Sequence, residues 1–318
     1  MKHIIDSAIN AVEQRLLGKS HEVRLAVACL LSGGHLLLED LPGMGKTTLS
    51  HALAEAMGLS YSRVQFTSDL LPADILGVSV YQREAEAFRF QPGPIFNQVL
   101  LADEINRATP RTQSALLEAM SEGQVSIDGA TYALPIPFFV IATQNPIHQT
   151  GTYPLPESQL DRFLMRLSLG YPGVEAERAL LLRDQAAPRA VPQAAVDATA
   201  FEKIRAMADQ VHVSPSVLGF IERIIACTRE STEFAMGLSP RGAIALVSAA
   251  RTWAVMADRD YLLPEDVQAV LRPVVCHRLV PSADYAGDSD ALIDLVTQRV
   301  DVIPDGIVYT TAFLGAAL

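Results

Sequence analysis

A lysine and a threonine that close a glycine turn carry the chemistry easiest to read in this chain. The apolar run Leu36-Leu37-Leu38 leads into Asp40-Leu41-Pro42-Gly43-Met44-Gly45-Lys46-Thr47-Thr48, and helical sequence follows from Leu49 to Met57. Strand, glycine loop and helix in that order form a phosphate-binding P-loop. Glycine lacks a Cβ, so backbone N–H groups around Gly43 and Gly45 can close on a phosphate. The helix that starts there aims unpaired N–H groups and its positive dipole end at the same anion. Lys46 is expected to reach the β- and γ-phosphates of a nucleoside triphosphate, and the Thr47 hydroxyl to bind Mg2+. The usual pattern has glycine where Asp40 stands. Aspartate tolerates left-handed backbone better than most residues, which keeps the turn feasible.

Asp103-Glu104 follows the short apolar run Val99 to Ala102. An aspartate at the C-terminal end of a parallel strand sits at the edge where ligands bind. Asp103 is expected to hold Mg2+ through water, and Glu104 to take the proton of an attacking water as general base. Asn145, at the end of Ala142-Thr143-Gln144-Asn145, can orient that water without adding charge; alone, it also fits an ordinary Asn-Pro turn. Arg162 in Asp161-Arg162-Phe163 and Arg241 in Ser239-Pro240-Arg241 suit phosphate, because a guanidinium grips two oxygens and never loses its charge. Either arginine, read alone, could equally form a surface ion pair.

These residues need a sheet to position them. Leu36–Leu38, Ser62–Phe66, Val99–Ala102 and Phe138–Ala142 read as buried strands alternating with helical segments such as Thr112–Met120. That pattern predicts an α/β fold with a central parallel sheet flanked by helices. Val78–Tyr81 with Ala87–Phe90, and Gln124–Ile127 with Thr131–Leu134 across Asp128-Gly129, read as two β-hairpins. Asp69–Gly77 reads as a turn. Met1–Gln14 suits an amphipathic helix. The Ala/Pro-rich stretch Ala186–Ala200 suits a hinge, and from Phe201 the pattern is helical over Phe201–Ala208, Pro215–Glu230, Arg241–Ala257 and Pro264–His277. The expected division is an N-terminal helix (1–17), a core (18–172), a linker with the first lid helix (173–200) and a small all-helical lid (201–318).

Composition narrows the options. Of 318 residues, 49% are apolar and 19% charged, as in a folded protein with a sizeable core. A net charge of -11 argues against nucleic-acid binding through bulk electrostatics. Cys29, Cys227 and Cys276 are odd in number and far apart, so they read as reduced thiols of a cytoplasmic chain. No apolar run approaches the ~20 residues that span a bilayer. The apolar tail Ile307–Leu318 is expected to dock on the protein. No Asn-Lys-x-Asp occurs, which disfavours GTP.

Taken together, these segments resemble the MoxR family of AAA+ ATPases, in the helix-2-insert clade related to magnesium chelatase motor subunits. The resemblance rests on the P-loop block, Gln65-Phe66-Thr67-Ser68-Asp69-Leu70-Leu71-Pro72, Phe88-Arg89-Phe90-Gln91-Pro92-Gly93-Pro94-Ile95-Phe96, Asp103-Glu104-Ile105-Asn106-Arg107-Ala108, Gln113-Ser114-Ala115-Leu116-Leu117-Glu118-Ala119-Met120, Ala142-Thr143-Gln144-Asn145-Pro146 and Gly237-Leu238-Ser239-Pro240-Arg241. It runs from about Gly18 to about Leu279. It implies ATP and Mg2+ as cofactors, with Lys46 and Thr47 in Walker A, Asp103 and Glu104 in Walker B, and Asn145 as sensor 1. Arg162 then matches an arginine finger acting on the next subunit, and Arg241 matches sensor 2, in cis or in trans. It further implies a homo-oligomeric ring, expected to be a hexamer, that remodels, assembles or activates a client enzyme, with metal or cofactor insertion among the options. A von Willebrand factor A-domain protein is the expected companion. The hairpins match insertions that face the pore or a partner. The alternative is a motor subunit of a metal chelatase or a DNA-associated motor.

Overall fold

The computed structural model describes residues 1–84, 86–145, 151–182, 196 and 198–302. Pro146, the linker stretch 186–195 and the tail Ile307–Leu318 lie outside the described residues. Helices α1 (Lys2–Glu13) and α2 (Ser20–Leu31) precede β1 (Leu36–Glu39), which leads through the glycine loop into α3 (Lys46–Ala56). There follow β2 (Tyr61–Gln65), α4 (Pro72–Leu76), the hairpin β3 (Gly77–Gln82) and β4 (Ala87–Pro92), and β5 (Val99–Asp103). Next come α5 (Pro110–Glu122), the hairpin β6 (Gln124–Ile127) and β7 (Ala130–Ala133), β8 (Phe139–Gln144), α6 (Glu157–Leu160) and β9 (Met165–Leu167). The remaining elements are α7 (Val174–Leu181), α8 (Ala198–Gln210), α9 (Pro215–Glu230), β10 (Phe234–Met236), α10 (Pro240–Met256), α11 (Pro264–Val275), β11 (Val280–Pro281) and α12 (Ser289–Arg299).

Five strands form one parallel sheet in the order β2-β5-β8-β1-β9. Successive side chains of a strand face opposite sides, so an unbroken apolar run must meet a core on both. Leu36 and Leu38 of β1, Val99 and Leu101 of β5, and Phe139 and Ile141 of β8 join α1, α2, α3 and the lid helices in one apolar cluster. Leu37, Leu100, Ala102, Val140 and Ala142 join α5 in the other. Each such residue is at most 2% exposed, a burial worth about 1.5–3 kcal/mol for a large side chain.

Local chemistry sets the ends of the elements. Thr109 caps α5, Pro110 occupies its first turn, and Gly123 closes it at φ 64°. Ser214 and Ser239 cap α9 and α10 in the same way, each followed by proline. Asp128 (φ 52°) and Gly129 (φ 80°) make the two-residue turn of the second hairpin.

The structure departs from the sequence reading in several places. Asp69–Gly77 is not only a turn. Pro72 opens α4 there, with the Asp74 carboxylate accepting from the Leu71 N–H at 2.9 Å. β8 runs two residues further than expected, to Gln144, which brings Asn145 directly to the strand's end. The lid is helical but not all-helical, since β10 pairs with β11 in a short antiparallel ribbon. Helix α12 was not anticipated. The first hairpin exposes aromatic surface: Tyr81 and Phe88 meet edge to face at 5.4 Å, and Phe88 is 75% exposed. Phe90 of the same hairpin stacks on Tyr132 of the second, centroids 4.0 Å apart.

Candidate functional site

The site lies where β1, β5 and β8 end side by side. Between β1 and α3 the chain turns through Gly43 (φ 86°) and Gly45 (φ 93°), both in the left-handed region that favours glycine. Gly43 faces open space, so backbone there is free to meet a ligand. A groove of about 350 Å³ is walled by Pro42, Gly43 and Gly45, by Lys46, Thr47 and Thr48 of the first turn of α3, and by Arg63, Asp103, Glu104 and Asn145. Leu41 is exposed and Met44 half-buried, so of these two only the backbone has polar groups to offer.

Lys46 is buried and donates to the Asp40 carbonyl at 2.6 Å and to Asn145 Oδ1 at 3.3 Å. Burial pulls its pKa below the usual lysine value, while the carboxylates of Asp40, Asp103 and Glu104 work in the opposite direction. Asn145, itself buried, donates through Nδ2 to Glu104 Oε1 at 3.1 Å.

Glu104 stands at φ 57°, ψ 49°, a conformation that costs a non-glycine residue about 1–2 kcal/mol. Its N–H donates to Thr143 Oγ1 at 2.8 Å, and the Thr143 hydroxyl donates to Asp103 Oδ1 at 2.6 Å. One hydroxyl therefore fixes both acids. Asp103 Oδ2 accepts from Arg63 at 2.6 Å. Glu104 Oε2 accepts from Gln65 Nε2 at 2.8 Å and from Arg107 at 2.9 Å. Sequence reasoning missed Arg63, Gln65, Arg107 and Thr143 as parts of the site. Gln65 and Thr143 could have been found from their places at or near strand ends beside the acids; Arg63 gave no signal. Gln113 ties the acidic turn to the next loop, donating to Ile105 O, Ala108 O and Tyr153 O.

Asp40 needs correcting. It is not in the left-handed region. Its carboxylate faces β9's exit instead, accepting from Ser168 Oγ at 2.9 Å, Gly170 N–H at 3.1 Å and the Leu169 N–H. Aspartate stands here as a tie between the loop and the neighbouring chain.

Arg162 and Arg241 do not line the groove. Arg162, after α6, donates to Leu117 O at 2.6 Å and to Ser121 Oγ near the end of α5. Arg241, the second residue of α10, is exposed and makes no hydrogen bond or ion pair with a described residue. For a metal, no cluster of three or more His, Cys, Asp or Glu exists among the described residues. The groove still offers hard oxygen donors, Thr47 and Asp103, which suit a Mg2+ that takes its other ligands from water and phosphate.

Comparison with known proteins follows the same lines. Residues 35–165 match the ATPase family associated with various cellular activities (AAA), and residues 226–295 match an AAA lid domain. The uncharacterized protein YeaC of Bacillus subtilis is 42% identical over 94% of this chain and 95% of its own. The chaperone MoxR1 of Mycobacterium tuberculosis is 39% identical, over 94% of this chain and 82% of its own. The crystal structure of a Cytophaga hutchinsonii protein assigned as an ATPase superposes with a TM-score of 0.87 at 35% identity, covering 95% of this chain and 96% of that one.

Proposed function

Because the chain is an AAA+ ATPase of the MoxR family, we propose that it hydrolyses ATP at the P-loop groove, between adjoining copies of a hexameric ring, to remodel a protein partner. In this reading residues 18–172 are the motor core and 201–318 the lid. Lys46 and the backbone from Asp40 to Thr48 hold the phosphates, and Thr47 and Asp103 hold Mg2+, Asp103 through water. When bound, Mg2+ would supply neutralisation of the charge on the transferring phosphoryl group. Glu104 takes a proton from the attacking water as its oxygen bonds the γ-phosphorus, and ADP leaves. Asn145 orients that water. Arg162 meets the γ-phosphate of the next copy, and Arg241 senses it from the lid. The partner is a client enzyme or a von Willebrand factor A-domain protein; a relative named as a chaperone supports action on a client. No helix among the described residues is long and apolar enough to cross a membrane, and Cys29, Cys227 and Cys276 are free thiols, which fits work in the cytoplasm.

One observation carries the proposal: Lys46, Asn145 and Glu104 form a continuous chain of hydrogen bonds across the ends of three adjacent strands. The experiment is subunit mixing. Arg162→Ala and Lys46→Ala are each expected to be inactive, and their mixture active, because an intact nucleotide site then meets an intact arginine. A mixture that co-assembles and stays inactive overturns action between copies.

A further inference from the structure

Arg162 sits in the segment 161–164, and the backbone on both sides of it is gripped from the lid. Arg278, in the turn after α11, is 3% exposed in its side chain. Its Nε donates to Asp161 Oδ1 at 2.7 Å, and Nη2 donates to Phe163 O at 2.6 Å and Asp161 O at 3.3 Å. Nη1 donates to Leu164 O at 3.1 Å and to Val274 O at the end of α11. The preceding residue, His277, places Nε2 3.0 Å from Phe163 O. The second oxygen of Asp161 accepts from Ser239, the cap of α10, at 3.5 Å. Two residues beyond that cap stands Arg241.

A buried guanidinium is a costly way to join two units, since an apolar contact of similar volume is often as stable. What the guanidinium provides is a planar fork that sets several acceptors at fixed positions, which a lysine cannot do. Besides Val274 of α11 itself, the acceptors are residues 161, 163 and 164, which flank Arg162 on both sides. Arg162 itself points elsewhere, to the end of α5. The lid thus holds the chain that presents Arg162 without touching its side chain.

We propose that Arg278 is a positioning residue for hydrolysis in the adjoining copy: it fixes the backbone around Arg162 to the lid, so that a lid displaced through Arg241 displaces the arginine offered to the neighbour. The proposal rests on the reading of Arg162 as acting between copies.

The test uses the full chain and ATP. Arg278→Lys keeps the charge and loses the fork. Asp161→Asn keeps the backbone acceptors and loses the charged partner, and covers the case in which the first variant fails to fold. Each is expected to lower kcat, by roughly a hundredfold for Arg278→Lys if the finger is displaced by about 1 Å, with KM nearly unchanged. Each should regain turnover when mixed with Glu104→Gln subunits, whose Arg162 is correctly held, co-assembly being verified by native mass spectrometry. Arg162→Ala mixed with Glu104→Gln is the control. If the control regains activity and the Arg278 and Asp161 variants do not, Arg278 serves stability alone and the inference is overturned while the reading of Arg162 stands. If the control also stays inactive, the reading of Arg162 is what fails. Unchanged kcat in a folded Arg278→Lys protein also overturns the inference.

Discussion

Asn145 joins Lys46 to Glu104, accepting from the lysine at 3.3 Å through one amide atom and donating to the carboxylate at 3.1 Å through the other. An amide does this where a carboxylate or an amine cannot, because it accepts and donates without adding charge. Replacing it by alanine is expected to lower kcat by about 10²–10³-fold and to leave ATP affinity within a few-fold. Asn145→Asp places a second negative charge beside Glu104. It also loses the amide donor to Glu104 Oε1, so kcat should fall at least as far as in the alanine variant. Steady-state rates with a fluorescent nucleotide titration check both; loss of affinity with unchanged kcat would remove Asn145 from the chemical step.

Asp40 holds three donors from the chain leaving β9. Asp40→Gly restores the glycine usual in such loops but strands buried N–H groups. The expected loss of stability is roughly 2–4 kcal/mol, read as a lower urea midpoint. Nucleotide affinity should fall much less than in Lys46→Ala. Equal losses of affinity in the two variants would make Asp40 a phosphate contact after all.

His35 gives the fold an acid limit. The Val140 N–H donates to its Nδ1 at 3.1 Å, so Nε2 carries the proton and donates to Met120 O at 3.3 Å. Burial holds its pKa at about 4, below the ordinary 6.5, with the backbone bond to Met120 opposing the shift and the positive charge of Arg241 adding to it. Above pH 6.5 both folded and unfolded chains carry a neutral ring, and its contribution is complete. As the pH falls from 6.5 toward 4 the unfolded chain takes the proton first, and stability drops by up to roughly 1.4 kcal/mol per pH unit. His277 is shifted in the same direction by burial and by Arg278. His35→Gln should flatten the dependence of the urea midpoint on pH by about one proton; an unchanged slope would place the effect elsewhere.

Phe90 and Tyr132 stack with planes 22° apart and join the two hairpins. A double-mutant cycle with Phe90→Leu and Tyr132→Leu should show a coupling of about 0.5–1.5 kcal/mol in unfolding free energy. Additive losses would mean that the hairpins are independent.

Much of this molecule could be read in its residues, for identifiable reasons. Apolar runs such as Leu36–Leu38 have one explanation in an α/β chain, and both faces of the sheet confirm it. Pro215 and Pro264 marked helix starts because proline is tolerated in the first turn. α12 escaped because its buried residues, Leu292, Ile293 and Val296, are few among charges. The ribbon of β10 and β11 escaped because three- and two-residue strands carry no periodicity. Around the groove, residue types at strand ends pointed to Asp103, Glu104 and Asn145. Of the partners that orient the acids, Gln65 and Thr143 stand at or near strand ends, whereas Arg63, in the middle of β2, becomes visible only once the register is known.

The first helix bears on how small a working fragment can be. Ile5, Ala8, Ile9 and Val12 bury their side chains in the cluster that holds α3, Arg15 pairs with Glu55, and Leu16 Cδ1 lies 2.7 Å from where a Cβ on Gly45 would stand. A version trimmed to the stretch matching the ATPase family, which starts at residue 35, would strip the packing from behind the glycine turn. Fragments meant to retain nucleotide should therefore keep their first seventeen residues, and bulky tags are better fused elsewhere.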